Sequence, residues 1–304
     1  MIYTVTVNPA IDYVVQIDHL NLGRVNYLQH TNFIAGGKGI NVSKILTQLG
    51  SANTAWGFIG GFTGQFLETT LRQEQIKFDF TSIADNTRVN VKLKSDQETE
   101  MNAVGPRVTA TELAAFKKQF DQVQAGDTVI FSGSLLPQLT NDFYLELIDL
   151  VVAKGAEFAI DTTGQALLDT LNKKPFVIKP NHHELADLFN TTIENDQQLL
   201  TYAAKLQESG AKNVLISMAG AGAYYLSPEH IYHSVAPVGQ VVNSVGAGDS
   251  MLAGFIGEFS QHHDPKMAFK YGLACGSATA FTEDIANIEQ INALLPQIKI
   301  DLIK

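Results

Sequence analysis

The chain predicts an α/β fold: a mostly parallel sheet covered by helices, with a second, smaller sheet apart from it. Three observations carry this. Short apolar runs of strand length recur along the chain. Stretches with apolar residues at helical spacing lie between them, and such alternation implies a helix-covered parallel sheet with right-handed crossovers. Two stretches, residues 12–34 and 88–102, break the alternation.

Taken in order, residues 2–7 read as the first buried strand. The stretch 12–34 carries Val14, Ile17, Val25, Tyr27 and Leu28 without a helical pattern, and residues 40–49 place Val42, Ile45, Leu46 and Leu49 on one helical face. Residues 88–102 read as a hairpin, with Val89, Val91 and Leu93 alternating with polar residues and a turn near 95–97. Residues 112–120 read as a helix, with Thr109 and Glu112 at capping-box spacing. Strands at 128–131, 158–160, 176–178 and 214–216 follow, with helices at 141–152 and 196–208. From about Gly248 the chain reads as mainly helical.

Composition narrows the function. The 304 residues are 45% hydrophobic and 17% charged, so a large core is expected and wholesale disorder is not. A net charge of −10 argues against a nucleic-acid partner, which asks for a basic footprint. Cys275 is the one cysteine, which excludes an intrachain disulfide framework and fits a reducing, cytoplasmic setting. The opening MIYTVTVNPAID lacks a signal-peptide pattern, and no run of about 18 apolar residues predicts a membrane helix.

Gly246-Ala247-Gly248-Asp249 stands where a helix begins, since Met251, Leu252, Phe255, Ile256 and Phe259 follow at helical spacing. Glycines there bring backbone N–H groups close to an anion, and the helix dipole favours negative charge. A carboxylate at such a point needs a reason. Either Asp249 is a general base beside a bound anion, or it caps the helix. Ala35-Gly36-Gly37-Lys38-Gly39-Ile40-Asn41 is a second glycine-rich turn into a helix, with a cation inside it. Asn181 and Glu184, three apart after a buried strand, suit either water-mediated magnesium contact or a helix cap. Ser217-Met218-Ala219-Gly220-Ala221-Gly222 is either a loop over nucleotide phosphates or a tight hairpin turn. The pairs His182-His183 and His262-His263 lack zinc-site spacing and read as surface residues. Neither a P-loop nor a G-x-G-x-x-G fingerprint is present.

In this order, Val7-Asn8-Pro9-Ala10-Ile11-Asp12, Gly36-Gly37-Lys38-Gly39-Ile40-Asn41-Val42, Thr87-Arg88-Val89-Asn90-Val91, Ser132-Gly133-Ser134-Leu135, Lys179-Pro180-Asn181-His182-His183-Glu184 and Val245-Gly246-Ala247-Gly248-Asp249-Ser250 resemble the ribokinase-like, phosphofructokinase-B family of sugar kinases over nearly the whole chain. Leu136 is a departure, since relatives often run from Leu directly to Pro.

The resemblance implies a doubly wound large domain of residues 1–11, 35–87 and 105–304. Residues 12–34 and 88–104 would form a β-sheet lid through which two copies pair as a homodimer. It implies ATP and Mg²⁺, and phosphorylation of fructose 1-phosphate at its C6 hydroxyl, with tagatose 6-phosphate as the alternative substrate. A non-catalytic sugar or nucleoside sensor on the same scaffold is a further alternative. Asp249 would be the base, and the N–H groups of Gly246, Ala247 and Gly248 would hold the transferring phosphoryl group. Asp12, Gly36, Gly37, Asn41 and Asn90 would hold the sugar, with Arg24, Lys38 and Arg88 supplying charge for its phosphate. Lys179, Ser217, Met218, Ala219, Gly220, Ala221, Gly222 and Gly248 would serve the nucleotide, and Asn181 and Glu184 would reach Mg²⁺ through water.

Overall fold

A computed structural model describes residues 1–140 and 142–304. In chain order its strands and helices are β1 (Ile2–Thr6), β2 (Ala10–Gln16), β3 (His30–Gly36), α1 (Lys38–Gln48), β4 (Asn53–Gly60), α2 (Gly61–Gln73), β5 (Thr81–Ile83), β6 (Arg88–Lys94), β7 (Thr99–Met101), α3 (Ala110–Gln119), β8 (Thr128–Ser132) and α4 (Asp142–Ala153). They continue as β9 (Glu157–Asp161), α5 (Gly164–Leu171), β10 (Val177–Ile178), α6 (His182–Leu188), α7 (Asp196–Glu208), β11 (Asn213–Ser217), β12 (Ala223–Leu226), β13 (Ile231–Ser234), α8 (Ala247–His262), α9 (Pro265–Ala280), α10 (Ile288–Leu294) and β14 (Asp301–Leu302). Asn141, where a helix start is expected, lies outside the described residues.

The described residues form a ten-stranded sheet in the order β14-β13-β12-β11-β10-β9-β8-β1-β4-β5. Pairing is parallel from β5 across to β11, and antiparallel at the β12–β14 edge. The apolar runs are strands buried on both faces. In β9, Phe158 and Ile160 enter one core while Ala159 enters the other; in β8, Val129 and Phe131 face away from Ile130. The first core is completed by α3–α7 through Phe116, Phe143, Leu167, Leu185 and Leu199. The second is completed by α1, α8, α9 and α10 through Ile45, Phe255, Phe269 and Ile291. Helices on both faces make this a doubly wound sheet. The Leu136 insertion is absorbed by burial, with that side chain in the first core.

A separate four-stranded sheet has the order β3-β2-β6-β7. Its hairpin turns between Lys94 and Thr99, as the alternation predicts. Its strands run on to Ala10 and Gly36, beyond 12–34, because the β2–β3 pairing continues to that end. Val15, Ile17 and Leu93 form a small core of its own.

The fold brings the carboxyl ends of neighbouring parallel strands together, where open α/β sheets hold their ligands. Thr6 ends β1, Ser132 ends β8, Asp161 ends β9, and Lys179 follows β10.

Candidate active site

The turn before α8 is built to meet an outside acceptor. Gly246 is left-handed (φ 78°, ψ −6°) and no side chain caps the helix behind it. The Ala247 N–H turns back to the Ser244 carbonyl at 3.3 Å. Helix geometry leaves the N–H groups of Gly248 and Asp249 without an intrahelical acceptor. A Cβ at Gly248 would lie 2.9 Å from Lys179 Nζ, so the glycine lets that ammonium stand against the helix start. Asp249 is not the cap: Gly246 holds that position, and the Asp249 carboxylate accepts a hydrogen bond from Asn41 Nδ2 at 2.9 Å.

Four charged side chains meet here. Asp161, buried at the end of β9, pairs with Lys38 at 3.1 Å and with Lys179 at 3.4 Å. Burial alone raises its pKa, but the Lys179 and Lys38 ammonium groups outweigh burial and hold it below the usual carboxylate value. Asp249 goes the other way. Burial first, then the Asp161 charge, pushes its pKa up to about 6, with Lys38, Asn41 and Lys179 opposing. Burial pulls Lys38 down, but Asp161 and Asp249 outweigh it, so its pKa lies above the ordinary lysine value. Two buried carboxylates with pKa values driven apart are what acid–base chemistry near neutral pH requires.

Asp249, Gly246, Gly248, Lys38, Lys179, Asn41 and Gly37 line one cleft of about 520 Å³, with Asp12, Arg88 and Asn90 on the small-sheet side. Gly36 lines an adjoining cavity that shares Asp12 and Asn41. Arg88 donates from Nη1 to the Ala103 carbonyl at 2.8 Å and from Nη2 to the Asn8 carbonyl at 2.9 Å. Its guanidinium thus ties the strap after β7 to the loop after β1, while Nε is buried without a partner.

Some expected residues lie elsewhere. Arg24 does not line the cleft: it sits in the exposed loop between β2 and β3, where its N–H bonds to the Asn21 carbonyl at 3.3 Å. Asn181 and Glu184 cap α6 reciprocally, Glu184 N–H to Asn181 Oδ1 at 2.8 Å and Asn181 N–H to Glu184 Oε2 at 2.7 Å. The segment 217–222 joins antiparallel β11 and β12 through a 3₁₀ turn, and Ser217 bridges to Asn181, so the two candidate segments adjoin. Of the histidines, His183, His262 and His263 are exposed; His182 is half-buried, with Nδ1 unpartnered.

Other cleft residues escaped the sequence reading. Asp161 is the most important, and its signal was a lone carboxylate ending a buried apolar run. Lys92, on β6, also lines the cleft and pairs with Glu100 at 2.6 Å; it read as the polar half of an alternating strand. Ser134 lines it from a segment that carried no assigned role.

A doubly wound sheet, an uncapped helix start beside a buried carboxylate, and a small sheet facing both define a class, the sugar kinases of the ribokinase type. The pfkB family carbohydrate kinase profile matches residues 3–290, and the chain belongs to that family. The chain is 42% identical over 300 residues to the 1-phosphofructokinase of Bacillus subtilis, covering 99% of both. It is 34% identical over 301 residues to the D-tagatose-1-phosphate kinase of Bacillus licheniformis, again covering 99% of both. The structure superposes on Escherichia coli phosphofructokinase-2 in complex with substrates and products with a TM-score of 0.93 at 25% identity, covering 97% of this chain and 98% of that one.

Proposed function

We propose that this kinase transfers the γ-phosphoryl group of ATP to the C6 hydroxyl of fructose 1-phosphate, giving ADP and fructose 1,6-bisphosphate. The observation that carries the mechanism is the buried Asp249 at the uncapped start of α8, its pKa pushed up to about 6. The full-length 42% identity to a 1-phosphofructokinase supports the substrate.

In the proposed step the C6 oxygen attacks the γ-phosphorus, the bond to the β-phosphate oxygen breaks, and Asp249 takes the hydroxyl proton. Asn41 orients the carboxylate through its 2.9 Å hydrogen bond. Charge on the transferring group spreads over its peripheral oxygens, so placed donors do most of the work. The N–H groups at the start of α8 supply them, with Gly248 and Asp249 taking over from Ala247, whose N–H is turned inward. Lys38 and Lys179, both paired to Asp161 beside Asp249, serve this reacting end, so Lys38 moves from the substrate phosphate to the transferred one. Arg88 supplies charge at the far end, Asp12 and Asn41 accept sugar hydroxyls, and segment 217–222 covers the nucleotide.

No group of three or more His, Cys, Asp or Glu side chains that could hold a metal occurs among the described residues. That suits Mg²⁺, which keeps several waters and binds through one or two carboxylates plus substrate phosphates. Glu184 spends Oε2 on its cap and leaves Oε1 for such a water. Bound there, Mg²⁺ would neutralise phosphate charge. The small sheet acts as a lid that excludes water. Leu22, Val25, Tyr27 and Phe33 are exposed on it, which favours pairing with a second copy. A cytoplasmic setting is kept on the single, buried Cys275.

A second reading has an observation of its own: the 34% identity to a D-tagatose-1-phosphate kinase. Tagatose 1-phosphate presents the same phosphate and the same C6 hydroxyl and differs in one ring hydroxyl. ATP-coupled turnover of fructose 1-phosphate, tagatose 1-phosphate and tagatose 6-phosphate by the purified protein separates these readings.

A further inference from the structure

We infer that Asn90 acts through Asp12, aiming one oxygen of that carboxylate into the cleft as the acceptor for a sugar hydroxyl. The inference rests on reading the cleft as a sugar-phosphate site. Asn90 is only 6% exposed and stands opposite Asp12 in the β2–β6 register. Its Oδ1 accepts the Ala103 N–H at 3.1 Å, and its Nδ2 donates to Asp12 Oδ1 at 2.8 Å. A backbone N–H accepts nothing, so only the amide oxygen can face Ala103. The backbone therefore decides which way Asn90 lies, and the nitrogen is left to Asp12.

Asp12 is fixed in turn. With Oδ1 held, Oδ2 stands over Gly36, where a Cβ would come within 2.6 Å of it. Asp12 lines both adjoining cavities, and its one side-chain hydrogen bond is spent on Oδ1, which leaves Oδ2 to meet a hydroxyl. Ala103 is also pinned through the next peptide, its carbonyl accepting from Arg88 Nη1. One residue of the strap thus supports both the hydroxyl acceptor and the guanidinium assigned to the substrate phosphate. Asn90 is a positioning residue, and its loss is felt in sugar binding and not in ATP binding.

A double-mutant cycle tests this. Asn90→Asp keeps the acceptor for Ala103 but sets a carboxylate against Asp12, which turns away. A hydrogen bond to a charged group is at stake, so KM for the sugar phosphate rises about 10- to 100-fold while KM for ATP stays within about twofold. Asp12→Asn alone meets the Asn90 nitrogen with a second donor, or turns that donor into the cleft, and is equally poor. Combining the two restores the pair with its polarity reversed. The new amide at position 12 donates to the new carboxylate at position 90 and shows its oxygen to the cleft. The double variant recovers at least about tenfold of the kcat/KM lost in Asn90→Asp. A KM within twofold of wild type in Asn90→Asp, or a double variant no better than either single, overturns the inference. The cycle is run on whichever sugar phosphate the wild type uses best. Poor wild-type turnover of fructose 1-phosphate would therefore sink the substrate reading and leave the test of Asn90 standing.

Discussion

Asp249 carries opposite consequences for stability and for activity. Unfolded, its carboxyl ionises near the ordinary aspartate value of 3.8; folded, burial and the Asp161 charge push this up to about 6. Between these values the folded chain binds more protons than the unfolded one, so stability falls as pH rises through that window and then levels off. Asp249→Asn abolishes the penalty. We predict a variant more stable than wild type at pH 7, on the order of 1–3 kcal/mol by denaturant unfolding, yet slower by about 10²–10⁴-fold in kcat. Near-normal turnover would deny it the role of base. In wild type, kcat/KM should fall as pH drops below about 6, where the base is protonated. The charged residues at the two ends of the cleft should separate kinetically. Arg88→Ala raises KM for the sugar phosphate at least about tenfold, through loss of a charge-assisted bond. Lys38→Ala chiefly lowers kcat. Equal effects on KM from both variants would contradict this division. As residues of one cleft, Asp249, Lys38 and Arg88 were legible because each sits in a local motif. Asp161 was not, because its meaning comes from two lysines that sequence separates from it and the sheet brings back.

At the scale of elements, the strands buried on both faces and the strongly periodic helices were legible, since their patterns are local. The helix expected at 196–208 from its apolar spacing has those bounds, and the structure adds an Asn195 cap that accepts the Gln198 N–H. β4 and α2 were missed. Asn53-Thr54-Ala55-Trp56-Gly57 dilutes the apolar run, and Gly61-Phe62-Thr63-Gly64 opens a helix with poor helix formers that tertiary packing holds. The antiparallel edge of β12, β13 and β14 was missed because pairing direction is set by connections, not by composition. At the α6 start the observed cap and the proposed Mg²⁺ contact can be separated by one substitution. Gln substitutes for Glu in a capping box, so Glu184→Gln should leave stability within about 0.5 kcal/mol of wild type. It should raise the Mg²⁺ concentration needed for half-maximal activity severalfold. Unchanged Mg²⁺ dependence would leave Glu184 as a cap alone.

For the whole molecule, a net charge of −10 coexists with a cluster of cations because the fold gathers Lys38, Arg88, Lys92 and Lys179 from three segments into a cleft that also holds Asp12, Asp161 and Asp249. In the proposed function this cleft serves a ketohexose 1-phosphate and directs its C6 hydroxyl to Asp249. Fructose 1-phosphate and tagatose 1-phosphate enter in the same sense and differ in one ring hydroxyl, whereas tagatose 6-phosphate must enter reversed. A site built to bond a hydroxyl penalises a ligand that leaves it unpaired. The most direct test is kcat/KM for these three sugar phosphates at saturating Mg-ATP. Fructose 1-phosphate should exceed each of the others by at least about tenfold, about 1.4 kcal/mol in transition-state binding. A ratio at or below one against either competitor would contradict it.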